Sequence, residues 1–459
     1  MFTPALPYIE AYGNREAEFN YRGHGYVFSL SHGLFSSAGI DTGSRFLLKV
    51  FSNYLDFSIN APFPGRPFFN EDPFMVLDSG CGAGVLGICA ARALFELAGK
   101  DPDSLAIHVR AQDRDELARI FSLYNAERNG LSTDVFSAHT EPLLSGPPDS
   151  KWDLILCNIP AKTGQPVLED FIGRSVRLLK SNGRVFLVVV KPLASFFSSC
   201  IKSSALLLSE DATKDHTVFV YGAAAETQGG EAPNPVILEE NFPNGFPFYI
   251  RNDSEYEMAD IVYRLKTLHG APDFDCPGGA EEAAAKLATK IDLKAQNFNN
   301  GSENTLIHCS GQGHFALWLN NYFGRENAAI VLSGRNFLSL SAARAGLLDA
   351  QQDIPERKRE ITIVPAADIF LDRERILAAP HGAGKGYGLI TFFPETVPET
   401  SREDASWKGI DYLSMPGTIF IAGMSSSEAE RFDREKTSGW QKIGDIRKNG
   451  FRAIAYQKQ

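Results

Sequence analysis

The chain has 459 residues and a formal net charge of −11, with 44% hydrophobic and 22% charged residues. This composition is typical of a soluble globular protein, and the length exceeds one ordinary hydrophobic core, so two domains are expected. The negative charge argues against a uniformly basic nucleic-acid binder, so any RNA contact would need a local basic patch.

Targeting and redox signals indicate a cytoplasmic protein. The first residues, M-F-T-P-A-L-P-Y-I-E, lack the basic and apolar regions of a signal peptide. The longest apolar strand, Val185 to Val190, is far too short to cross a bilayer. No C-x-x-C pair or cluster of histidines at ligand spacing is present, so we expect reduced thiols and no metal site. The six cysteines lie at positions 81, 89, 157, 200, 276 and 309.

The N-terminal region, residues 1–60, is predicted to contain a hairpin followed by a helix. The alternating stretch E-F-N-Y-R-G-H-G-Y-V-F-S-L predicts the hairpin. Farther along, D-T-G-S at 41–44 stands where the helix would be capped. The apolar face of that helix consists of Phe46, Leu47, Val50 and Leu55.

A glycine-rich turn follows in the stretch from Phe74 to Leu86, F-M-V-L-D-S-G-C-G-A-G-V-L. An apolar strand ends in Asp78, and glycines at alternate positions lead into a helix. Glycines allow positive φ and close ligand approach, and the N–H groups of a helix start offer hydrogen bonds. The spacing D-x-G-x-G-x-G differs from the dinucleotide pattern G-x-G-x-x-G. A tight turn without a ligand is the alternative interpretation.

This spacing resembles motif I of class I S-adenosyl-L-methionine (SAM) methyltransferases. With the upstream segment F-S-x-x-G-x-D-x-G-S-x-x-L-L, it is similar to the catalytic domain of the ribosomal RNA small-subunit methyltransferase C family. Those enzymes, and the related methyltransferase G family that acts on the RNA of the large subunit, methylate the exocyclic N2 of guanine. The resemblance implies a Rossmann-like, seven-stranded α/β fold, SAM as cofactor and ribosomal RNA as partner. The matching upstream residues are Phe35, Ser36, Gly39, Asp41, Gly43 and Ser44.

The predicted cofactor site combines the glycine turn with the ends of the next two strands. Asp113, at the end of the second strand, is placed to accept both ribose hydroxyls, as in nucleoside-binding α/β folds. Asp115 is the second choice, and a role in capping the following helix is the alternative. The resemblance implies an adenine contact just after the third strand. The full set is Asp41, Gly43, Asp78, Gly80, Cys81, Gly82, Gly84, Asp113, Arg114, Ser137, Ala138 and Asn158.

The fourth strand, W-D-L-I-L-C-N-I-P-A-K-T-G, is predicted to carry the chemistry. It resembles the N-P-P-F/Y motif of amino methyltransferases, which makes Asn158, Ile159 and Pro160 the catalytic residues. The resemblance implies that the Asn158 side-chain oxygen and the Ile159 carbonyl accept hydrogen bonds from the target amine. A strand end followed by a loop that binds no substrate is the alternative.

Recognition of a base needs stacking and charge as well. Ala161 replaces the usual aromatic of the motif, and base stacking is worth about 1–3 kcal/mol. Phe28, Phe35 or Trp152 could stack instead. The basic residues between Lys151 and Lys191 are the candidate RNA patch, with ordinary solvated charges as the alternative.

The second half of the chain is predicted to be a degenerate copy of the first. A linker at 224–236 separates a catalytic domain, 1–223, from a second domain, 237–459. T-L-I-H-C-S-G-Q-G-H-F-A-L-W-L has the shape of the glycine turn, but its chemical positions are lost. An unrelated α/β domain is the alternative. The replacements are Ile307 for Asp78, Cys309 for Gly80, Ser333 for Asp113 and Phe393 for Asn158.

These patterns together predict a SAM-dependent N-methyltransferase, with guanine N2 of ribosomal RNA as the leading target. Methyl transfer is an in-line displacement, so alignment and desolvation would supply most of the acceleration without a metal. Two alternatives stay open. One is methylation of a protein glutamine amide or a small-molecule amine, and the other is a non-catalytic SAM-binding scaffold. The oligomeric state does not follow from the sequence.

Overall fold

A computed structural model describes most of the chain and divides it into two compact units. The units are residues 1–241 with 397–399, and residues 242–396 with 400–459. The linker predicted at 224–236 lies, apart from Ala224, outside the described residues. The described residues are 5–57, 73–98, 107–145, 152–224, 246–272, 275–294, 304–323, 329–352, 359–379 and 386–459.

From its third strand onward, most strands of the first unit are followed by a helix. In chain order its strands are β1 (Arg15–Tyr21), β2 (His24–Leu30), β3 (Phe74–Ser79), β4 (Ile107–Asp113), β5 (Phe136–Thr140), β6 (Trp152–Asn158), β7 (Leu179–Val190), β8 (Leu206–Ala212) and β9 (His216–Gly222). Its helices are α1 (Leu6–Tyr12), α2 (Thr42–Phe57), α3 (Val85–Ala98), α4 (Glu116–Arg128), α5 (Gln165–Leu178) and α6 (Ala194–Ser204).

Seven of these strands form one mixed sheet in the order β5-β4-β3-β6-β7-β9-β8. Strands β3 to β7 run parallel, and β9 is antiparallel to both of its neighbours. The central strands read as continuous apolar runs because both faces are covered. On β3, Val76 packs into one core and the adjacent Leu77 into the other. The predicted Rossmann-like, seven-stranded α/β fold is confirmed.

The order of the strands decides where a ligand can bind. From β3 the chain moves outward to β4 and β5, then returns across β3 to place β6 and β7 on the other side. In open α/β sheets such a reversal leaves a crevice outside the carboxyl ends of the strands, and ligands bind there. The carboxyl ends of β3, β4 and β6 therefore mark the functional edge of this sheet.

Asn125 of α4 and Asn129, just after its end, bind the edge of the predicted hairpin, which the structure confirms as β1 paired with β2. The Asn125 Oδ1 accepts from the Ser29 N–H at 2.8 Å, and its Nδ2 donates to the Ser29 carbonyl at 3.1 Å. Asn129 bonds the N–H and carbonyl of Val27 in the same way, at 3.1 and 2.9 Å. The Asn125 Nδ2 also donates to the Ala83 carbonyl of the glycine turn at 2.9 Å. One buried amide thus joins the hairpin, α4 and the turn.

The second unit repeats the same order of strands. Its strands are β10 (Ile250–Met258), β11 (Ile261–Leu268), β12 (Thr305–His308), β13 (Ile330–Gly334), β14 (Ile361–Pro365), β15 (Tyr387–Phe392), β16 (Ser414–Ser425), β17 (Trp440–Lys448) and β18 (Phe451–Lys458). Its helices are α7 (Gly279–Lys290), α8 (His314–Phe323), α9 (Phe337–Gln352), α10 (Arg373–Leu377), α11 (Glu403–Leu413) and α12 (Ser426–Arg434). The sheet runs β14-β13-β12-β15-β16-β18-β17, which matches the first sheet position for position.

The register of the second sheet corrects one predicted correspondence. In the first unit Ser79 pairs with Gln112, and in the second His308 pairs with Ser333. Ser333 therefore corresponds to Gln112, and the next residue, Gly334, corresponds to Asp113. The Gly334 carbonyl accepts from the Ala366 N–H, just after β14, at 2.8 Å. In the same way, the Asp113 carbonyl accepts from the Glu141 N–H, just after β5, at 2.8 Å. The prediction that Ser333 replaces Asp113 was wrong by one residue, because the end of β13 is set by pairing with its neighbours.

We expect Asn125→Ala to destabilise the first unit by about 3 kcal/mol or more, because each buried group left unsatisfied costs about 1–3 kcal/mol. Asn125 is 0% exposed, and its loss removes the partners of the Ser29 N–H and carbonyl and of the Ala83 carbonyl. Urea unfolding followed by circular dichroism measures the change.

The matched control is Asn20→Ala, because Asn20 lies on the same hairpin and is exposed. Its unfolding midpoint should stay close to that of the unaltered protein. Equal midpoints for both variants would show that Asn125 does not hold the hairpin and the turn together.

Candidate active site

The hydrogen-bond register brings the predicted site residues to one level of the sheet. Ser79, the last residue of β3, pairs with Gln112 on one side and Cys157 on the other. The next residues along β4 and β6 are Asp113 and Asn158, so these two side chains flank the start of the glycine turn. Neighbouring strands are about 4.8 Å apart, which separates the two backbones by about 10 Å.

The glycine turn is open on the side that faces this crevice. Gly80 and Gly82 have φ of 75° and 52°, values that favour glycine. A Cβ added at Gly82 would meet no atom within 4 Å, and one at Gly80 only Leu143 at 4.0 Å. Gly84 differs, because its Cβ would lie 3.0 Å from the Ser122 side chain of α4. Gly80 and Gly82 therefore leave room for a ligand, while Gly84 lets the helices pack.

Asp113 closes the turn from the end of β4. Its Oδ2 accepts from the Gly82 N–H at 3.1 Å, and its Oδ1 accepts from the Asp115 N–H at 3.0 Å. Burial raises the pKa of the Asp113 carboxyl, and the Asp115 charge adds to this rise, while Arg114 opposes it. Asp115, the second choice for the ribose acid, caps α4 by accepting from the Leu117 N–H at 2.9 Å. The predicted capping role thus falls to Asp115.

Asp78 lies beneath the turn and is only 1% exposed. Its Oδ2 accepts from the Gly87 N–H of α3 at 2.8 Å, while its Oδ1 is buried without a partner among the described residues. Burial raises the pKa of the Asp78 carboxyl to about 7, the Gly87 N–H opposes the rise, and the Asp113 charge adds to it. An unpaired buried acceptor is costly unless a donor or a cation satisfies it.

Asn158 is partly buried at the end of β6, and its amide is held by the start of α2. Its Nδ2 donates to the Asp41 Oδ1 at 2.9 Å and to the Ser44 Oγ at 3.1 Å. The same Asp41 oxygen accepts from the Ser44 N–H at 2.8 Å, which caps the helix as predicted. The structure thus brings Asp41, predicted as a cofactor residue, directly to Asn158.

The residues next to Asp41 and Asn158 in the chain constrain the position of the contact between these two side chains. A Cβ added at Gly43 would lie 3.0 Å from the Asp41 Oδ1 and 3.2 Å from the His216 ring, so a side chain there would require these neighbours to shift. Ile159 is buried and its N–H donates to the Val188 carbonyl at 3.3 Å. Pro160 is exposed, and its carbonyl accepts from the Thr163 N–H at 3.2 Å.

Three further residues that were predicted to bind the cofactor lie within a strand or in the core. Ser137 and Ala138 lie inside β5, paired with Arg110 and Ala111, while Thr140 is the residue level with Asp113. The prediction that they follow the third strand was wrong, because β5 extends to Thr140. Cys81 is buried, and burial raises the pKa of its thiol well above the usual range.

The predicted residues for base stacking and for RNA contact differ in how exposed their side chains are. Phe28 and Trp152 are buried in the cores, whereas Phe35 is 77% exposed. In the predicted basic patch, Arg174 pairs with Asp170 at 2.8 Å, and Lys180 pairs with Asp153 at 2.9 Å. These pairs support the alternative of ordinary solvated charges for that part of the patch. Lys162 and Lys191 are exposed in the loops that follow β6 and β7.

Sequence analysis missed two residues that shape the site. Ser44 was recognised only as a motif match, although the spacing D-x-x-S of a helix cap indicated that its backbone N–H bonds the Asp41 side chain. His216 begins β9 and lies against Gly43, and no local sequence signal connects the two.

The second unit lacks the corresponding polar groups. Gly334 stands where Asp113 stands in the first unit, and Cys309 adopts a φ of 58° in place of Gly80. A Cβ added at Gly334 would lie 3.5 Å from the Cys309 Sγ, so the sulfur lies close beside the strand end. Phe393, in place of Asn158, is buried against Phe315 with ring centroids 5.0 Å apart. The aligned positions offer neither an acid for a ribose nor an acceptor for an amine.

Other site chemistries find little support in the part of the chain that the structure describes. It contains no group of three or more His, Cys, Asp or Glu side chains able to hold a metal ion. None of its helices is long and apolar enough to span a membrane. All six cysteines are free thiols.

Comparison with known proteins connects this geometry to one family. Residues 25–202 match the family model described as the methyltransferase small domain. The chain is 27% identical over 176 residues to the uncharacterized protein YbxB of Bacillus subtilis, a match that covers 38% of this chain and 73% of that protein. It is 26% identical over 160 residues to the ribosomal protein L11 methyltransferase of Syntrophomonas wolfei, covering 35% of this chain and 42% of that protein.

A solved structure resembles nearly the whole chain. The T. thermophilus 16S rRNA N2 methyltransferase RsmC, in complex with AdoMet and guanosine, aligns with a TM-score of 0.56 at 14% identity. The alignment covers 98% of this chain and 99% of that one, which shows a shared fold. Residues 25–202, which contain the open glycine turn and the row of acidic and amide groups beside it, therefore match the methyltransferase small domain, and the chain shares its fold with a methyltransferase.

Proposed function

We propose that the first unit transfers a methyl group from SAM to an exocyclic amine, and that the target is guanine N2 in ribosomal RNA. The observation that carries this proposal is the Asn158 amide, which lies level with the cofactor turn and has its NH2 group held by Asp41. The amide oxygen is left to accept a hydrogen bond from a target amine.

The residues of the turn fit SAM. When bound, SAM supplies an electrophilic methyl group on a sulfonium sulfur. Gly80 and Gly82 leave room above the turn, and the Asp113 carboxylate at its far end suits a ribose diol. The orphaned Asp78 Oδ1 supplies negative potential beneath the turn, where a cationic ligand gains most from a buried carboxylate.

The acceptor side prepares the amine for attack. The Asn158 Oδ1 and the Ile159 carbonyl lie at the strand end next to the turn and would accept the two hydrogens of an amino group. Hydrogen bonds of this kind favour the pyramidal amine, whose lone pair is free to attack. Holding both reactants in line converts the reaction to an effectively unimolecular step.

Three features support an RNA target. The chain shares its fold with the 16S rRNA N2 methyltransferase RsmC, whose structure holds guanosine. The upstream segment that resembles the same family contacts Asn158 directly through Asp41. Lys162 and Lys191 are exposed in loops at the functional edge, where they can meet phosphates.

One observation favours a second candidate, a protein or small-molecule amine. The exposed position after Pro160 is Ala161, which offers no ring for a base to stack on. One relative of this chain is a ribosomal protein L11 methyltransferase. A peptide amide or amine would need no stacking partner.

Incubating the purified protein with methyl-labelled SAM and an extract of cells lacking its gene tests the proposal. We expect label in the RNA fraction that resists protease, is released by nuclease and is identified as N2-methylguanosine by mass spectrometry. Label only in protein or in small molecules would support the second candidate. Binding of SAM without any transfer would contradict both.

Asn158→Ala should lower the initial rate of methyl transfer by at least about 100-fold, because it removes an interaction used mainly in the transition state. The dissociation constant for SAM, measured by calorimetry, should stay within about threefold. The exposed Lys202→Ala is a control on α6. Equal losses of transfer and SAM binding would contradict the assigned role of Asn158.

SAM affinity should rise with pH between about 5.5 and about 7, and then level off, because the Asp78 carboxyl has its pKa raised to about 7. Below that pKa the folded protein holds Asp78 neutral, so binding a cation must first release its proton, at a cost approaching tenfold per pH unit. Calorimetry at constant ionic strength measures the slope. Asp78→Asn should flatten it, and an unchanged slope in this variant would show that another group titrates.

A further inference from the structure

We infer that Asp41 and Ser44 are positioning residues that hold the Asn158 amide in the one orientation able to accept a hydrogen bond from the target amine. This inference rests on the proposed function and assigns to the start of α2 a part in the reaction. Neither side chain needs to touch the substrate for this role.

The hydrogen bonds determine which end of the amide faces α2. An ionised carboxylate only accepts hydrogen bonds, so the Asn158 atom 2.9 Å from the Asp41 Oδ1 must be the NH2 nitrogen. The same nitrogen lies 3.1 Å from the Ser44 Oγ. An amide nitrogen has two hydrogens, and these two acceptors use both of them. The Asn158 Oδ1 is then the polar atom that remains for a ligand, and it can only accept.

This orientation matters because the opposite one would oppose the reaction. An unrestrained asparagine exchanges its oxygen and nitrogen by rotation of its terminal bond, and the two orientations have the same shape. A flipped amide would present NH2 to an amino group, donor against donor, and its oxygen would face the Asp41 carboxylate. The Asp41 charge therefore excludes the unproductive orientation as well as stabilising the productive one.

The start of α2 is built to keep the two acceptors in place. The Asp41 Oδ1 also accepts from the Ser44 N–H at 2.8 Å, so the carboxylate is fixed by the first turn of the helix. Ser44 is 5% exposed, and a side chain at Gly43 would crowd Asp41 and His216. Thr42, between them, is exposed. Three of the four residues in D-T-G-S thus make contacts that explain their identity. Thr42 makes none of these contacts, so its substitution serves as the control.

Ser44→Ala is the cleanest single test, because it removes one acceptor, keeps the backbone N–H that Asp41 caps, and introduces a good helix former. The assay uses methyl-labelled SAM at saturation and the fraction of the gene-deletion extract that the unaltered protein labels. We expect the initial rate to fall about 5- to 10-fold, which is the loss of one hydrogen bond, with SAM affinity and melting temperature unchanged. Thr42→Ala should match the unaltered protein in all three measurements.

An exchange of the two groups tests the orientation itself. Asn158→Asp alone sets two carboxylates against each other and should lose about 100-fold or more in rate. In the double variant Asp41→Asn, Asn158→Asp, the amide at position 41 donates to the carboxylate at position 158, which keeps an oxygen free to accept the amine. We expect the double variant to be at least about tenfold faster than Asn158→Asp alone, a positive coupling of the two sites.

A purely structural role for Asp41 predicts the reverse, because two destabilising changes would then add. A double variant no faster than Asn158→Asp, or a Ser44→Ala rate equal to that of Thr42→Ala, would overturn the inference while leaving the proposed function intact. If the unaltered protein labels no amine in any fraction, the proposed function itself fails. The two failures are therefore distinct.

Discussion

The pairing of β3 with β4 on one side and with β6 on the other is the constraint on which the site depends. Backbone hydrogen bonds fix the register of these strands, and the register puts Asp113 and Asn158 at the same level on either side of the glycine turn. A shift of one residue in either pair would turn the side chain to the opposite face of the sheet. The chemistry of the site therefore depends on the backbone pairing of the strands that carry its side chains.

Two asparagine amides connect further elements of the first unit to one another. Asn125 joins the hairpin and α4 to the glycine turn, and Asn158 joins β6 to the start of α2. In both places a neutral side chain satisfies several partners at once, and at the fully buried Asn125 each unpaired group would be costly. Elements far apart in the sequence are held together by single residues, so the turn and the acceptor site belong to one connected structure.

Local patterns were sufficient to predict part of this architecture. The glycine turn, the hairpin and the cap at Asp41 each depend on a few consecutive residues, and the structure confirms all three. Strand ends were less predictable, because pairing with a distant neighbour decides where a strand stops. That is why Ser333 was aligned one residue away from Gly334, and why Ser137 and Ala138 lie inside β5.

Contacts across the fold were outside the reach of sequence reasoning. Asp41 and Asn158 are 117 positions apart, and no periodicity connects them. The exposure of side chains was equally hard to predict. Phe28, Phe35 and Trp152 were equivalent aromatic candidates in the sequence, but two of them are buried in the fold. A resemblance to a family could identify which residues belong together, but only the folded chain gives the direction in which each side chain points.

The Cys309 sulfur beside Gly334 has a thermodynamic consequence. In the second unit the Cys309 side chain packs beside the end of β13, and this contact forms as soon as the chain folds. The first unit keeps an open turn and an orphaned carboxylate oxygen, and these become satisfied when a ligand binds. By mass action, a ligand that binds only the folded state raises its stability with concentration. We therefore expect the stability of the first unit to rise with the concentration of its cofactor, whereas the Cys309 contact in the second unit needs no ligand.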